Sequence, residues 1–254
     1  MKHVALFLFV AVFFIPSCDV LESDDDNWTK DKVITSPDES NISDSIKNLI
    51  KIDAATLALR DVIKDSELKY QLLEIPPDLI ELYYRGLIYI YNAMKYPPYN
   101  KLNGIHVFPN PPVFCIAVLF DTSYTWTKAW KRGERLTGNP QIDALMENYN
   151  LQLSYCCYDA ASIFSFDPIN TYALSNKFLG IPGVRISEPN FYMGDGADIK
   201  AEIKDIYLLY VFTVGWGDCP SGCLSRHFWE ISVEYDGSVT LLREYGDPLS
   251  KQQI

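Results

Sequence analysis

Arg226-His-Phe-Trp-Glu-Ile-Ser-Val-Glu-Tyr-Asp-Gly-Ser-Val-Thr-Leu-Leu-Arg-Glu-Tyr245 is the stretch on which the fold turns. Its first half places His227, Trp229, Ile231, Val233 and Tyr235 at every second position, the period of a strand with one face turned to a core. Asp236-Gly237 follows, a dipeptide able to take the positive φ that a tight hairpin turn demands. Ser238 to Tyr245 then returns as a second strand. Just upstream, Ile206 to Val214 is an apolar run with the length of a buried strand, preceded by a short extended piece near Ile199. These segments predict an antiparallel meander at the C-terminal end.

Towards the N-terminus the period changes to that of helices. Asp53 reads as the N-cap of a helix over Ala54 to Lys64. Pro76-Pro77-Asp78 opens a longer helix with Ile80, Tyr83, Tyr84, Leu87, Tyr91 and Met94 on one stripe. The expected partner of both is a sheet containing Val113 to Phe120, a continuous apolar run that reads as a strand buried on both faces. Between them, Tyr96 to Pro112 holds Pro97, Pro98, Pro109, Pro111 and Pro112 and must be mostly loop, with a short strand at Ile105 to Phe108. Trp126 and Trp130 would share a helical face. Asn139-Pro140 is cap and first residue of a helix carrying Ile142, Leu145, Met146 and Tyr149. It leads into a strand in which Leu151, Leu153, Tyr155 and Cys157 alternate inward. Another helix starts at Asp167-Pro168 and ends near Gly180, after which Val184 to Tyr192 reads as extended. The expectation is α+β: N-terminal helices packed on a mixed sheet, then the meander and its Asp-Gly hairpin, with residues 45–254 globular and a possible subdivision near 138.

The first residues carry an address. Lys2-His3, the apolar run Val4 to Ile15 and Pro16-Ser17-Cys18 form a charged start, a hydrophobic core and a small-residue cleavage site, so 1–17 reads as a signal peptide. The run falls well short of the roughly 20 apolar residues that span a bilayer. Ser17-Cys18 resembles the bacterial lipobox; the resemblance implies acylation of the Cys18 thiol, as by palmitate, removal of the signal and a lipid bilayer as partner. Residues 18–44 then read as a solvated acidic tether, with nine carboxylates against Lys30 and Lys32. Within it, Ser23-Asp24-Asp25-Asp26 resembles the surface-export signals of Bacteroidota lipoproteins, which implies an outer-membrane or cell-surface location; without that signal the protein faces the periplasm. The formal net charge is −11. An acidic chain lacks the basic footprint that displaces counterions, so no nucleic acid is expected as partner.

Apart from Cys18 there are five cysteines, an odd number in a compartment where disulfides persist. Cys156 and Cys157 are adjacent and point to opposite faces of a strand. Cys219 and Cys223 flank Pro-Ser-Gly, a turn that can bring two sulfurs together, and are expected to form a disulfide.

These two cysteines sit in Gly215-Trp-Gly-Asp-Cys-Pro-Ser-Gly-Cys-Leu-Ser-Arg-His-Phe-Trp229, followed by Glu244-Tyr-Gly-Asp-Pro248. The stretch resembles an uncharacterised family of secreted lipoproteins, mainly from Bacteroidota, that share Gly-Asp-Cys-Pro-x-Gly-Cys followed by His-x-Trp. The likeness covers Gly215 to Leu249, with looser phrases at Thr137-Gly-Asn139 and Ile181-Pro-Gly-Val184. It implies a shared fold and export route, and no activity.

Two accounts of the motif stay open. In one, the glycines permit sharp turns, a disulfide staples the loop, Asp218 caps free amides and His227 begins a core strand. In the other, Asp218 and His227, with Trp216 and Asp247, form a functional cluster. Cys219, Cys223 and His227 are ligand types that zinc prefers, in a spacing foreign to the common fingers, and a thiol enzyme would pair a cysteine with His227 or His106. Gly194-Asp195-Gly196 with Asp198 could offer oxygens to calcium or be a glycine-rich turn. Ile181-Pro-Gly-Val184 to Glu188-Pro-Asn190 resembles the end of a subtilase prodomain, which implies a protease-inhibiting module.

No catalytic residue, metal site or cofactor follows from any motif. The leading expectation is a lipid-anchored binding module for an extracellular or periplasmic protein, peptide or glycan. Its contacts would come from aromatics of the Pro-rich loop or the Trp216 loop. The alternatives are the inhibitor module and a metal- or thiol-dependent enzyme at Asp218, Cys219, Cys223 and His227.

Overall fold

The computed structural model describes residues 32–249. The segment read as a signal peptide, Cys18 and the acidic stretch up to Asp31 lie outside the described residues. What is described is α+β, with six helices and two four-stranded antiparallel sheets.

α1 spans Asp44–Val62 and begins where the Ser43 side chain accepts from the Ile46 amide. Asp53 is therefore not a cap. The true cap lies further upstream, and Asp53 is a buried carboxylate in the middle of the helix. A four-residue helix α2 (Leu68–Gln71) leads to α3 (Pro77–Ala93), opened by proline at its first position as the sequence predicts.

Both long helices lie on the meander. It consists of β5 (Asp198–Ile203), β6 (Tyr207–Trp216), β7 (Ser225–Glu234) and β8 (Val239–Gly246), in that spatial order and antiparallel throughout. Leu57, Leu79, Tyr83 and Leu87 from the helices share one core with Leu208, Tyr210, Phe212, Trp229 and Ile231. Close approach is possible because α3 carries Gly86 where the Tyr210 ring arrives: a Cβ there would lie 2.9 Å from Tyr210 Cζ and closer still to its hydroxyl. That hydroxyl donates instead to the Tyr83 carbonyl, 3.1 Å away. The hairpin turns at Gly237, with φ of 94°, as the Asp-Gly dipeptide predicts.

The second sheet comprises β1 (Cys115–Phe120), β2 (Gln152–Cys157), β3 (Ala160–Phe164) and β4 (Val184–Pro189), ordered β2-β3-β1-β4. Every pairing in it is antiparallel, so the mixed sheet of the sequence reading is absent among the described residues. α1 and α3 do not cover it. Its cover is α4 (Thr127–Lys131), α5 (Pro140–Asn148) and α6 (Thr171–Leu179), which meet Ile116, Val118 and Phe120 over Trp126, Trp130, Met146 and Phe178. β1 is buried on one face only, because its other positions, Cys115, Ala117 and Leu119, stay partly exposed on an uncovered side. Trp126 and Trp130 do share a face, with ring centres 5.2 Å apart. β2 is an edge strand, and Tyr155, expected inside, is 63% exposed. A bulge between Leu153 and Tyr155 breaks the alternation and leaves Cys156, not Cys157, against the core. α6 starts three residues past Pro168, capped by Asn170, whose Oδ1 takes the Tyr172 and Ala173 amides. Ile105 to Phe108 stays an unpaired extended loop.

Apart from Leu73, which joins the second core, the two cores part between Phe114 and Cys115 and again after Pro189. The sheet of β1–β4 is thus an insertion into the helix-and-meander unit. Residue 138 is no boundary; Thr137 and Gly138 are bound by the Asp143 carboxylate within the insertion. Nor does the tether run to residue 44. Ile34 is buried, the Thr35 amide donates to the Tyr235 carbonyl at 3.0 Å, and the Asn92 amide group donates to the Asp38 carbonyl. No helix among the described residues is long and apolar enough to cross a membrane.

Candidate functional site

The C-terminal motif is stapled as expected: Cys219 and Cys223 form a disulfide. Its clamp is a residue from the glycine-rich turn before β5. The Asp195 carboxylate accepts from the Cys223 amide at 3.2 Å and from the Arg226 guanidinium, while the Asp195 amide donates to the Cys219 carbonyl at 2.9 Å. Arg226 first, then the Gly196 and Cys223 amides, bring the Asp195 carboxyl down to about 2. Asp195 is therefore spent on the loop. Among the described residues no group of three or more His, Cys, Asp or Glu side chains could hold a metal ion.

Of the expected cluster only His227 and Asp247 meet, through the Asp247 carbonyl. His227 is buried, and both its ring nitrogens are committed: Nδ1 lies 2.7 Å from the Asp247 carbonyl and Nε2 3.1 Å from Glu244 Oε1. Asp247 gives its carboxylate to the Arg226 amide. The Asp218 side chain is exposed and, among the described residues, caps no amide; only its carbonyl is used, by the Ser221 amide. Trp216, at the end of β6, joins none of them in a hydrogen bond. With the thiols in a disulfide and the imidazole enclosed, neither thiolate nor metal chemistry has a site here.

A different place brings chemistry together. Residues of α1, α3, β5 and β6 line a cavity of about 260 Å³. Ile46 and Ile50 of α1, Leu87 of α3 and Met94 at its C-cap, Ile199 of β5 and Phe212 of β6 give it an apolar lining. Positions 46, 50 and 53 lie four and three apart on α1, so the helix turns Asp53 to the same cavity as the two isoleucines. The far wall is the loop Asn103 to His106.

Asp53 and His106 meet at this wall. Asp53 Oδ1 accepts from the Val107 amide at 2.9 Å, and Oδ2 lies 2.7 Å from His106 Nδ1. The hydrogen bond to Asp53 raises the His106 pKa above its ordinary value, against the opposing effect of partial burial. An ionised Asp53 can only accept, so Nδ1 carries the proton and Nε2 is the nitrogen left to act. Among the described residues Nε2 has no hydrogen-bond partner.

A second clamp holds the loop that carries His106. The Arg60 guanidinium donates to the carbonyls of Asn110, Phe108 and Ile199 at 3.0, 2.8 and 2.9 Å and pairs with Asp198, which itself takes the Phe108 amide at 2.8 Å. The proline-rich loop is thereby fixed between α1 and β5, and the cavity wall with it.

No family model, curated protein or solved structure matches the chain.

In sequence Asp53 reads as a helix start and His106 only as a partner for a thiol, so nothing local joins the two residues of this site. The signal was present in the composition of α1. A carboxylate inside Leu49-Ile-Lys-Ile-Asp-Ala-Ala-Thr-Leu-Ala58 falls on an apolar stripe, where an ionised group needs a partner.

Proposed function

We propose that this is an exported binding protein, anchored through acylated Cys18, whose ligand enters the cavity between α1, α3 and the Asn103–His106 loop. The observation that carries the reading is the pairing of a largely apolar lining with a few polar side chains, His106, Tyr91 and Asn103, which is the usual composition of a small-molecule site. The pocket walls are preorganised: the Asp53 hydrogen bonds set the imidazole and the Arg60 clamp sets the loop. A site held in place before its ligand arrives loses little ordering entropy on binding. The anchor rests on the lipobox-like Ser17-Cys18 and the acidic stretch that follows it.

Two measurements on the full chain test the proposal. Labelled palmitate should enter the membrane-bound protein and be lost with Cys18→Ala; equal labelling of the variant rejects the anchor. An apolar fluorophore should brighten on binding, and Ile50→Phe, which fills the cavity, should suppress that emission while the folded circular-dichroism spectrum persists. Emission indifferent to Ile50→Phe rejects the cavity as the site.

A further inference from the structure

Resting on that reading of the cavity, we infer that its ligand is a small amphiphilic carboxylic acid with an aliphatic chain, its carboxylate on His106 Nε2 and its chain among Ile46, Ile50, Leu87 and Phe212.

Size comes first. A cavity of about 260 Å³ lies just below the roughly 300–1,000 Å³ of pockets that hold drug-sized ligands, so its occupant is small. The lining residues have no charge beyond the Asp53–His106 pair, and Tyr91 of α3 is the other titratable side chain facing the space. A long or multiply charged ligand would therefore leave polar groups without partners, at a cost of about 1–3 kcal/mol for each.

The head group follows from the hydrogen-bond roles. With Nδ1–H donated to Asp53, a protonated His106 offers Nε2–H as a donor, and a donor of that charge is matched best by an anionic oxygen. Asp53 is already satisfied from two sides, so it neutralises the imidazolium without blocking Nε2. His106 is about half exposed, so a carboxylate there keeps contact with water while its chain is buried. The raised His106 pKa keeps the donor form present closer to neutral pH than in a free histidine.

The test is calorimetric titration of the full chain carrying Cys18→Ser, so that no acyl group of its own competes, with octanoate and with 1-octanol at pH 6 and pH 9. Octanoate is ionised across this range, so any change in affinity belongs to the protein. Octanoate should bind roughly tenfold more tightly at pH 6 than at pH 9, the size of one hydrogen bond to a charged group. His106→Gln should abolish that pH dependence, and His227→Gln should keep it. If octanol and octanoate bind equally at both pH values, the head-group assignment is overturned while the cavity survives as an apolar site. If neither binds and Ile50→Phe changes nothing, the cavity itself is rejected, and this inference with it.

Discussion

Two histidines of this chain each sit beside a carboxylate, and their surroundings divide the molecule into a part that is finished and a part that is open. His227, in the motif most conspicuous in the sequence, has both nitrogens committed, to the Asp247 carbonyl and to Glu244, and is buried. His106, in a proline-rich loop with no motif, has one nitrogen on Asp53, the other without a partner among the described residues, and a place in the lining of an apolar cavity. The motif builds structure: glycines, disulfide and the Asp195–Arg226 clamp fasten the end of the meander. The difference teaches that a distinctive run of residues marks a hard-to-build turn as readily as a site. A site shows itself by a polar atom left without a partner.

The comparison breaks most visibly at its two clamps. Arg60→Ala removes several charge-assisted hydrogen bonds from a partly buried position and should cost about 3 kcal/mol in urea unfolding, with ligand binding at the cavity weakened as well. If stability falls but binding stays, the loop does not need the clamp. Replacing Cys219 and Cys223 together by serine should cost about 2 kcal/mol, the value for closing so short a loop. Binding at the cavity should be unchanged, and any loss there would show that the two regions are coupled.

Gly86→Ala tests the packing beneath both. The added methyl meets the Tyr210 ring, so a destabilisation of about 1–3 kcal/mol is expected in the same unfolding assay.

The smallest effects are those of pH, because both groups involved are well exposed. Asp195 has a folded value near 2, below the ordinary carboxylate value, so its contribution is present above that ordinary value and lost as the pH falls towards 2. His106 runs the other way: its folded pKa is raised, so its contribution is full below the ordinary histidine value and lost as the pH climbs through the raised one. Asp195→Asn should flatten the acid limb of the stability profile and His106→Gln the neutral limb. A neutral limb that persists in His106→Gln would place its origin elsewhere.

The meander was legible because its strands are long, one-sided and joined by Asp236-Gly237, so that local pattern and tertiary burial agree. Proline and asparagine caps placed α3 and α5 for the same reason. Which sheet the helices cover was not legible. Val113 to Phe120 and Ile206 to Val214 are both apolar runs, and the choice between them depends on Gly86 admitting the Tyr210 ring, a contact between residues far apart in sequence. β3 escaped notice because Ala160-Ala-Ser-Ile-Phe164 is short and mostly small. The disulfide was within reach of the sequence because only three turn residues separate its ends. The Asp53–His106 pair was not, since it joins a helix to a loop 53 positions away and neither segment announces the other.

The central claim is that His106, not His227, is the working histidine. Its most direct test is nitrogen-15 resonance of the two imidazole rings during an octanoate titration at pH 6. The account predicts that His106 Nε2 shifts with saturable dependence on octanoate while both His227 nitrogens stay fixed. A shift at His227, or a His106 ring that does not respond, would contradict it.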